Sequence, residues 1–225
     1  MRMLIYVPVI HTSADLGSLA EDVAKRGIAD LGQEVWDDHK RTVDGFWDSI
    51  SRYFDSMDVH GVKVYQDGMV ADGELGRRIV EETAKAGSKN YQLVSRLIER
   101  GALLVKTEDF RLVKQEHERL CAMTHAKSIA GKIVALIKYK IVKSSLLNRR
   151  DTFIAEVIDQ TLKAGETGIL FIGAFHNVKG KLPESIQVRD VKDVGKVRKY
   201  QTLLPFHKRN EKQFSEMAKY LASNI

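Results

Sequence analysis

Short, dense apolar runs alternate along the chain with longer stretches in which apolar residues return every third or fourth position. The first pattern predicts buried strands and the second amphipathic helices. Leu4 to Ile10, rich in β-branched residues, reads as a first strand. Ser18-Leu19-Ala20-Glu21 has capping-box spacing and Lys25-Arg26-Gly27 offers a basic, glycine-closed end, so a short helix is expected between them. Val35, Trp36, His39, Val43, Phe46, Trp47, Ile50, Tyr53, Phe54 and Met57 form one continuous stripe, the mark of a long helix. Val62-Lys63-Val64-Tyr65 predicts a second strand, ending at Gln66-Asp67-Gly68.

Helices are expected next at about Glu74 to Ala86 and about Asn90 to Arg100, closed by Gly87 and Gly101. Ala102-Leu103-Leu104-Val105 reads as a third strand, running into Lys106-Thr107-Glu108-Asp109. A helical region spans Phe110 to roughly Lys143 with a break near Thr124-His125, and another helix spans about Arg150 to Leu162. Ile169-Leu170-Phe171-Ile172 is wholly apolar, which predicts a central strand. Ile186-Gln187-Val188 reads as a short further strand, and Glu211 to Leu221 as a last helix. Strands separated by helices predict a single α/β domain over residues 1–225. Its central sheet is mostly parallel, or mixed, and flanked by helices. The largely helical segment at about 74–162 is expected as an inserted layer or lid beside it.

Composition narrows this only a little. A chain of 225 residues suits one domain of ordinary to large size. No apolar run reaches bilayer-spanning length, and the N-terminus reads as a strand and not as a signal peptide. The single cysteine, Cys121, forms no internal disulfide, so a cytoplasmic setting is expected. Oligomeric state is left open, a homo-oligomer included. The net charge of +6 is uneven: Arg119 to Arg150 holds eight basic residues and no acidic one. Such a stretch can attract phosphate, anionic lipid or an acidic partner. Only Tyr139 interleaves it, which gives nucleic-acid binding by base stacking little support.

The chemistry lies at the strand ends. The four main strands run into His11, Asp67, Glu108 and Gly173-Ala174-Phe175-His176. Open parallel sheets bind ligands at the carboxyl ends of their strands. If the strands are parallel, two imidazoles and two carboxylates therefore share one edge. Such a set can hold zinc, manganese or cobalt and lower the pKa of a bound water, or work as acid and base without metal. Gly173 lets the backbone turn sharply or approach a ligand. Arg150 offers forked hydrogen bonds, either to a substrate anion or to a site carboxylate. Plainer readings stand beside these: Asp67-Gly68 is a common turn pair, and Glu108-Asp109 suits the start of a helix. No Gly-x-Gly-x-x-Gly, Walker, Gly-x-Ser-x-Gly or His-Glu-x-x-His pattern is present.

The motif Asn148-Arg149-Arg150-Asp151, then Ile169 through His176 and Gly180, resembles the TraB/Tiki group. The wider superfamily of that group includes the erythromycin esterases and the haem-binding ChaN-like proteins. The resemblance implies that Val7-Pro8-Val9-Ile10-His11 and Tyr65-Gln66-Asp67 fill the first two strand-end positions. Pro8 replaces the first glycine of the family pattern, and an adjacent acidic pair is reduced to Gln66-Asp67. It further implies an α/β site around His11, Asp67 and His176, with Arg150 nearby, in a group that includes metal-dependent peptidases and esterases.

The leading expectation is a metal-assisted hydrolase of peptidase or esterase type, acting on a small-molecule or peptide substrate. His11, Asp67, Glu108 and His176 are its candidate catalytic residues. His11, Asp67 and His176 are its candidate ligands for a divalent metal, and Arg150 and Gly173 its substrate contacts. The alternatives are a small-ligand or haem-binding protein without turnover, and binding to anionic surfaces or nucleic acid through the basic helix.

Overall fold

A computed structural model describes residues 1–12, 14–15, 20–124 and 129–225, with backbone only for 20, 120, 122–124 and 129–143. The predicted capping box at Ser18, the expected break at His125 and most of the basic stretch's side chains lie outside the described residues.

Five parallel strands form one sheet: β1 Arg2–Val9, β2 Lys63–Gln66, β3 Leu103–Val105, β4 Thr167–Gly173 and β5 Ile186–Asp190, in the order β3-β2-β4-β1-β5. All four ladders are parallel, so the expectation of a parallel α/β sheet holds. The wholly apolar β4 is central, between β2 and β1. Its register pairs Val9 with Gly173 and Gln66 with Phe171, which brings the strand ends level. Pro8 sits in β1 without breaking a ladder. The β5 partners of β1 stop at Tyr6, so the missing N–H of Pro8 has no bond to make.

Eight helices of the described residues surround the sheet: α1 Ala20–Leu31, α2 Gln33–Asp55, α3 Gly73–Lys85, α4 Lys89–Glu99, α5 Phe110–Thr124, α6 Ile129–Thr161, α7 Val194–Leu203 and α8 Glu211–Ala222. Alternate residues of β1 explain how both faces are covered. Ile5, Val7 and Val9 pack with Phe46, Trp47 and Ile50 of α2, Val80 of α3 and Leu93 and Leu97 of α4. Leu4 and Tyr6 point the other way, onto Ile154, Ile158 and Leu162 at the end of α6. The helical segment at 74–162 is therefore not one layer. Its first half covers one face of the sheet and α6 covers the other.

Three further boundaries differ from expectation. Gly27 does not end α1: a side chain there would run into the Trp36 ring, so the glycine permits a close helix–helix approach. The chain instead turns at Gly32, whose φ of +86° is left-handed. Helix α6 continues through Ser144-Ser145-Leu146-Leu147-Asn148, which contains no glycine or proline to stop it. Arg150 thus lies inside a helix, not at its start. No helix was expected at 194–203, yet α7 forms there and its Val197 and Tyr200 are buried in the core.

Candidate active site

Asp67 follows β2 and its backbone N–H extends the β2–β4 ladder, donating to the Phe171 carbonyl at 2.9 Å. Gly68 completes the turn with a φ of +75°. The Asp-Gly pair is therefore a turn and a site at once. The Asp67 carboxylate is buried and used on both sides. Oδ1 accepts from Nη2 of Arg150 at 2.7 Å, and Oδ2 accepts the backbone N–H of Gly173 at 3.0 Å. The Nε2 atoms of His11 and His176 each lie 3.8 Å from that same Oδ2. The two imidazoles therefore face one point, and their Nε2 atoms are separated by no more than twice that distance.

Each imidazole is held differently. His176 closes a tight turn, its N–H donating to the Gly173 carbonyl at 3.0 Å. Its Nδ1 donates to Oδ1 of Asp151 at 2.5 Å, while Oδ2 of Asp151 accepts the Asn177 N–H at 2.8 Å. The ring is buried, and the bond at Nδ1 leaves Nε2 pointing at Asp67. Arg198 of α7 braces the same turn with a bond of 2.8 Å to the Ala174 carbonyl. The His11 side chain is 41 % exposed, so solvent reaches it. Its Nδ1 lies 3.8 Å from Oδ2 of Asp15, which accepts the Thr12 N–H at 2.6 Å. Ser88, the N-cap of α4, donates to the other oxygen of Asp15.

Arg150 and Glu108 sit behind this front. Nε of Arg150 donates to Oε2 of Glu108 at 2.6 Å, Nη2 to its Oε1, and Nη1 to Glu116 of α5. Glu108 also accepts the Gly68 N–H at 2.8 Å. Its carboxylate therefore ties the Asp67-Gly68 turn to the guanidinium and does not face the histidines. Arg150 is buried, and its fork is taken up by protein carboxylates, not left open to a substrate anion. Gly173 acts through its backbone: a Cβ there would stand 3.3 Å from Oδ2 of Asp67, 3.4 Å from Cδ2 of His176 and 3.7 Å from Nε2 of His11.

Electrostatics follows from these contacts. Burial pushes the Asp67 carboxyl up, but His176, Arg150 and His11 together outweigh it and hold the group well below the carboxylate range. For Glu108, burial prevails over Arg150, with help from Asp67, and the carboxyl is raised. Burial lowers His176, yet Asp67 and Asp151 more than offset that loss, so its imidazolium is favoured beyond the ordinary histidine value. Arg150 is held firmly protonated.

The donor types suit a divalent ion. Both oxygens of Asp67 are engaged, Arg150 already supplies a positive charge beside it, and no group of three or more His, Cys, Asp or Glu among the described residues is set to hold a metal. The site thus unites His11, Asp67 and His176 directly, with Glu108 and Arg150 as its support. Asp151, Asp15 and Glu116 join them without having been singled out as site residues. Only Asp151 carried a signal, beside Arg150 in the Arg-Arg-Asp run. No family model, no curated protein and no solved structure matches the chain.

Proposed function

We propose that the chain is a hydrolase of the esterase or peptidase type, working by general acid–base catalysis at His11 and His176. The observation that carries this reading is the shared approach of the two Nε2 atoms to Oδ2 of Asp67, each at 3.8 Å. One imidazole is open to water and the other is buried, backed by Asp151 and inclined to stay protonated. Groups held in such different surroundings suit opposite roles.

His11 takes a proton from a water molecule as that water attacks the substrate carbonyl carbon. His176 gives its Nε2 proton to the leaving oxygen or nitrogen as the carbonyl bond to it breaks. The products are a carboxylic acid and an alcohol or amine. The proton gained by His11 and the one lost by His176 restore each other through solvent. Asp67 holds both rings to one point and favours the cationic form of His176. No step of this scheme uses a metal.

The resemblance to the TraB/Tiki group involves the same residues, His11, Asp67, Arg150 and His176, and supports the hydrolase class, though the peptidases and esterases it implies are metal-dependent. The test is hydrolysis of p-nitrophenyl esters by the purified chain. Turnover of those esters lost in His11→Ala, and turnover of ethyl esters, whose leaving alkoxide needs a proton, lost in His176→Gln, with the fold intact, supports the proposal. Equal turnover in the variants refutes it.

A further inference from the structure

We propose that the cavity beside His11 binds the uncharged, apolar part of the substrate, so that the hydrolase prefers a medium-length acyl or aryl group over acetyl. This rests on the hydrolase reading. The cavity measures about 420 Å³, within the range of small-molecule sites. Val23 of α1, Trp36, His39 and Val43 of α2, Leu204 and the His11 ring contribute to its wall. His11 thus belongs to both places: its Nε2 faces Asp67, and its ring bounds the cavity. A group seated there would leave its carbonyl next to His11.

The lining is apolar for a local reason. Trp36, His39 and Val43 recur at helical spacing, so α2 turns one face toward the space. His39 does not charge it: burial lowers that imidazole to about 4, and its Nδ1 shares a hydrogen bond of 2.9 Å with the Tyr200 hydroxyl. The charged neighbours are answered. Lys40 pairs with Asp37 at 2.6 Å and Lys89 with Asp48 at 3.4 Å. Lys40 and the oppositely charged Asp44 are exposed, at the solvent side. Among the described residues a charged ligand would find no free buried counter-ion, whereas an apolar one gains by leaving water.

The probe is N-phenyl-1-naphthylamine, a neutral aromatic amine whose fluorescence rises on leaving water. Saturable binding to the full chain is expected. Affinity should fall at least about tenfold in Leu204→Glu and in Val23→Glu, on separate elements, with circular dichroism unchanged. His176→Gln should keep the affinity within about twofold. In the p-nitrophenyl series, kcat/KM should rise at least about tenfold from acetate to octanoate, and the probe should compete. Equal probe binding in both wall variants, or an ester series that does not rise, overturns the proposal. Wall-dependent probe binding with no ester hydrolysed supports the cavity as an apolar site and overturns the hydrolase reading instead.

Discussion

His176 and Asp151 form a buried imidazole–carboxylate pair at 2.5 Å, joining the turn after β4 to the helix that precedes that strand. Asp151 also fixes the Asn177 N–H, so one carboxylate orients the ring and its turn together. Asp151→Asn keeps the shape and removes the charge that raises His176. The basic limb of the kcat/KM profile should then move to lower pH, and the maximal rate should fall by roughly 10²-fold or more. A limb that stays in place would show that His176 does not carry the titrating proton.

Folding stability should depend on pH through the same residue. His176 binds its proton more tightly in the folded chain than in the unfolded one. Its contribution is fully present below the ordinary histidine value of about 6.5 and is lost as pH rises through the folded value. Asp67 acts in the opposite sense: its contribution is present above the ordinary carboxylate value and lost as pH falls through the depressed one. Urea midpoints of the parent should therefore fall relative to those of His176→Gln as pH rises above about 6.5, a difference from which the opposing contribution of buried His39 cancels.

Arg150 is the counter-charge for buried Asp67 and Glu108 and for Glu116. Arg150→Met leaves those carboxylates uncompensated and should cost about 3–5 kcal/mol of stability in urea unfolding. A change near zero would mean that the cluster is wetter than its burial indicates.

Gly173→Ala places a Cβ 3.3 Å from Oδ2 of Asp67 and 3.4 Å from Cδ2 of His176. The expected cost is about 1–3 kcal/mol in stability, with a larger loss in kcat than in KM. Steady-state kinetics on an ester would reveal it.

Chelator treatment separates the proposed chemistry from a metal-assisted one. Hydrolysis should persist after dialysis against EDTA. Loss on dialysis with recovery on adding manganese, zinc or cobalt would assign His11, Asp67 and His176 as ligands after all.

Much of this molecule is visible in its residue pattern, and the gaps have physical causes. β1 to β4 are apolar runs closed by a polar residue, so both the strands and their shared edge can be read locally. Parallel pairing then brings His11, Asp67 and His176 together without further information. The route of Arg150 could not be read: a guanidinium suits a substrate anion and a protein carboxylate equally, and only packing places Glu108 and Glu116 against it. Asp151 and Asp15 work through partners set by the fold. Helix α7 was not expected although Val194, Val197, Tyr200 and Leu203 recur every third residue; at ten residues, with basic residues between them, that stripe is short.

The central claim is that His176 is a proton donor in a hydrolytic site shared with His11 and Asp67. Its most direct measurement is kcat/KM for ethyl octanoate, whose alkoxide leaves only with a proton, in the parent and in His176→Gln, both checked for folding by circular dichroism. The account predicts a fall of about 10²–10⁴-fold in the variant. Equal kcat/KM in two folded proteins would contradict it.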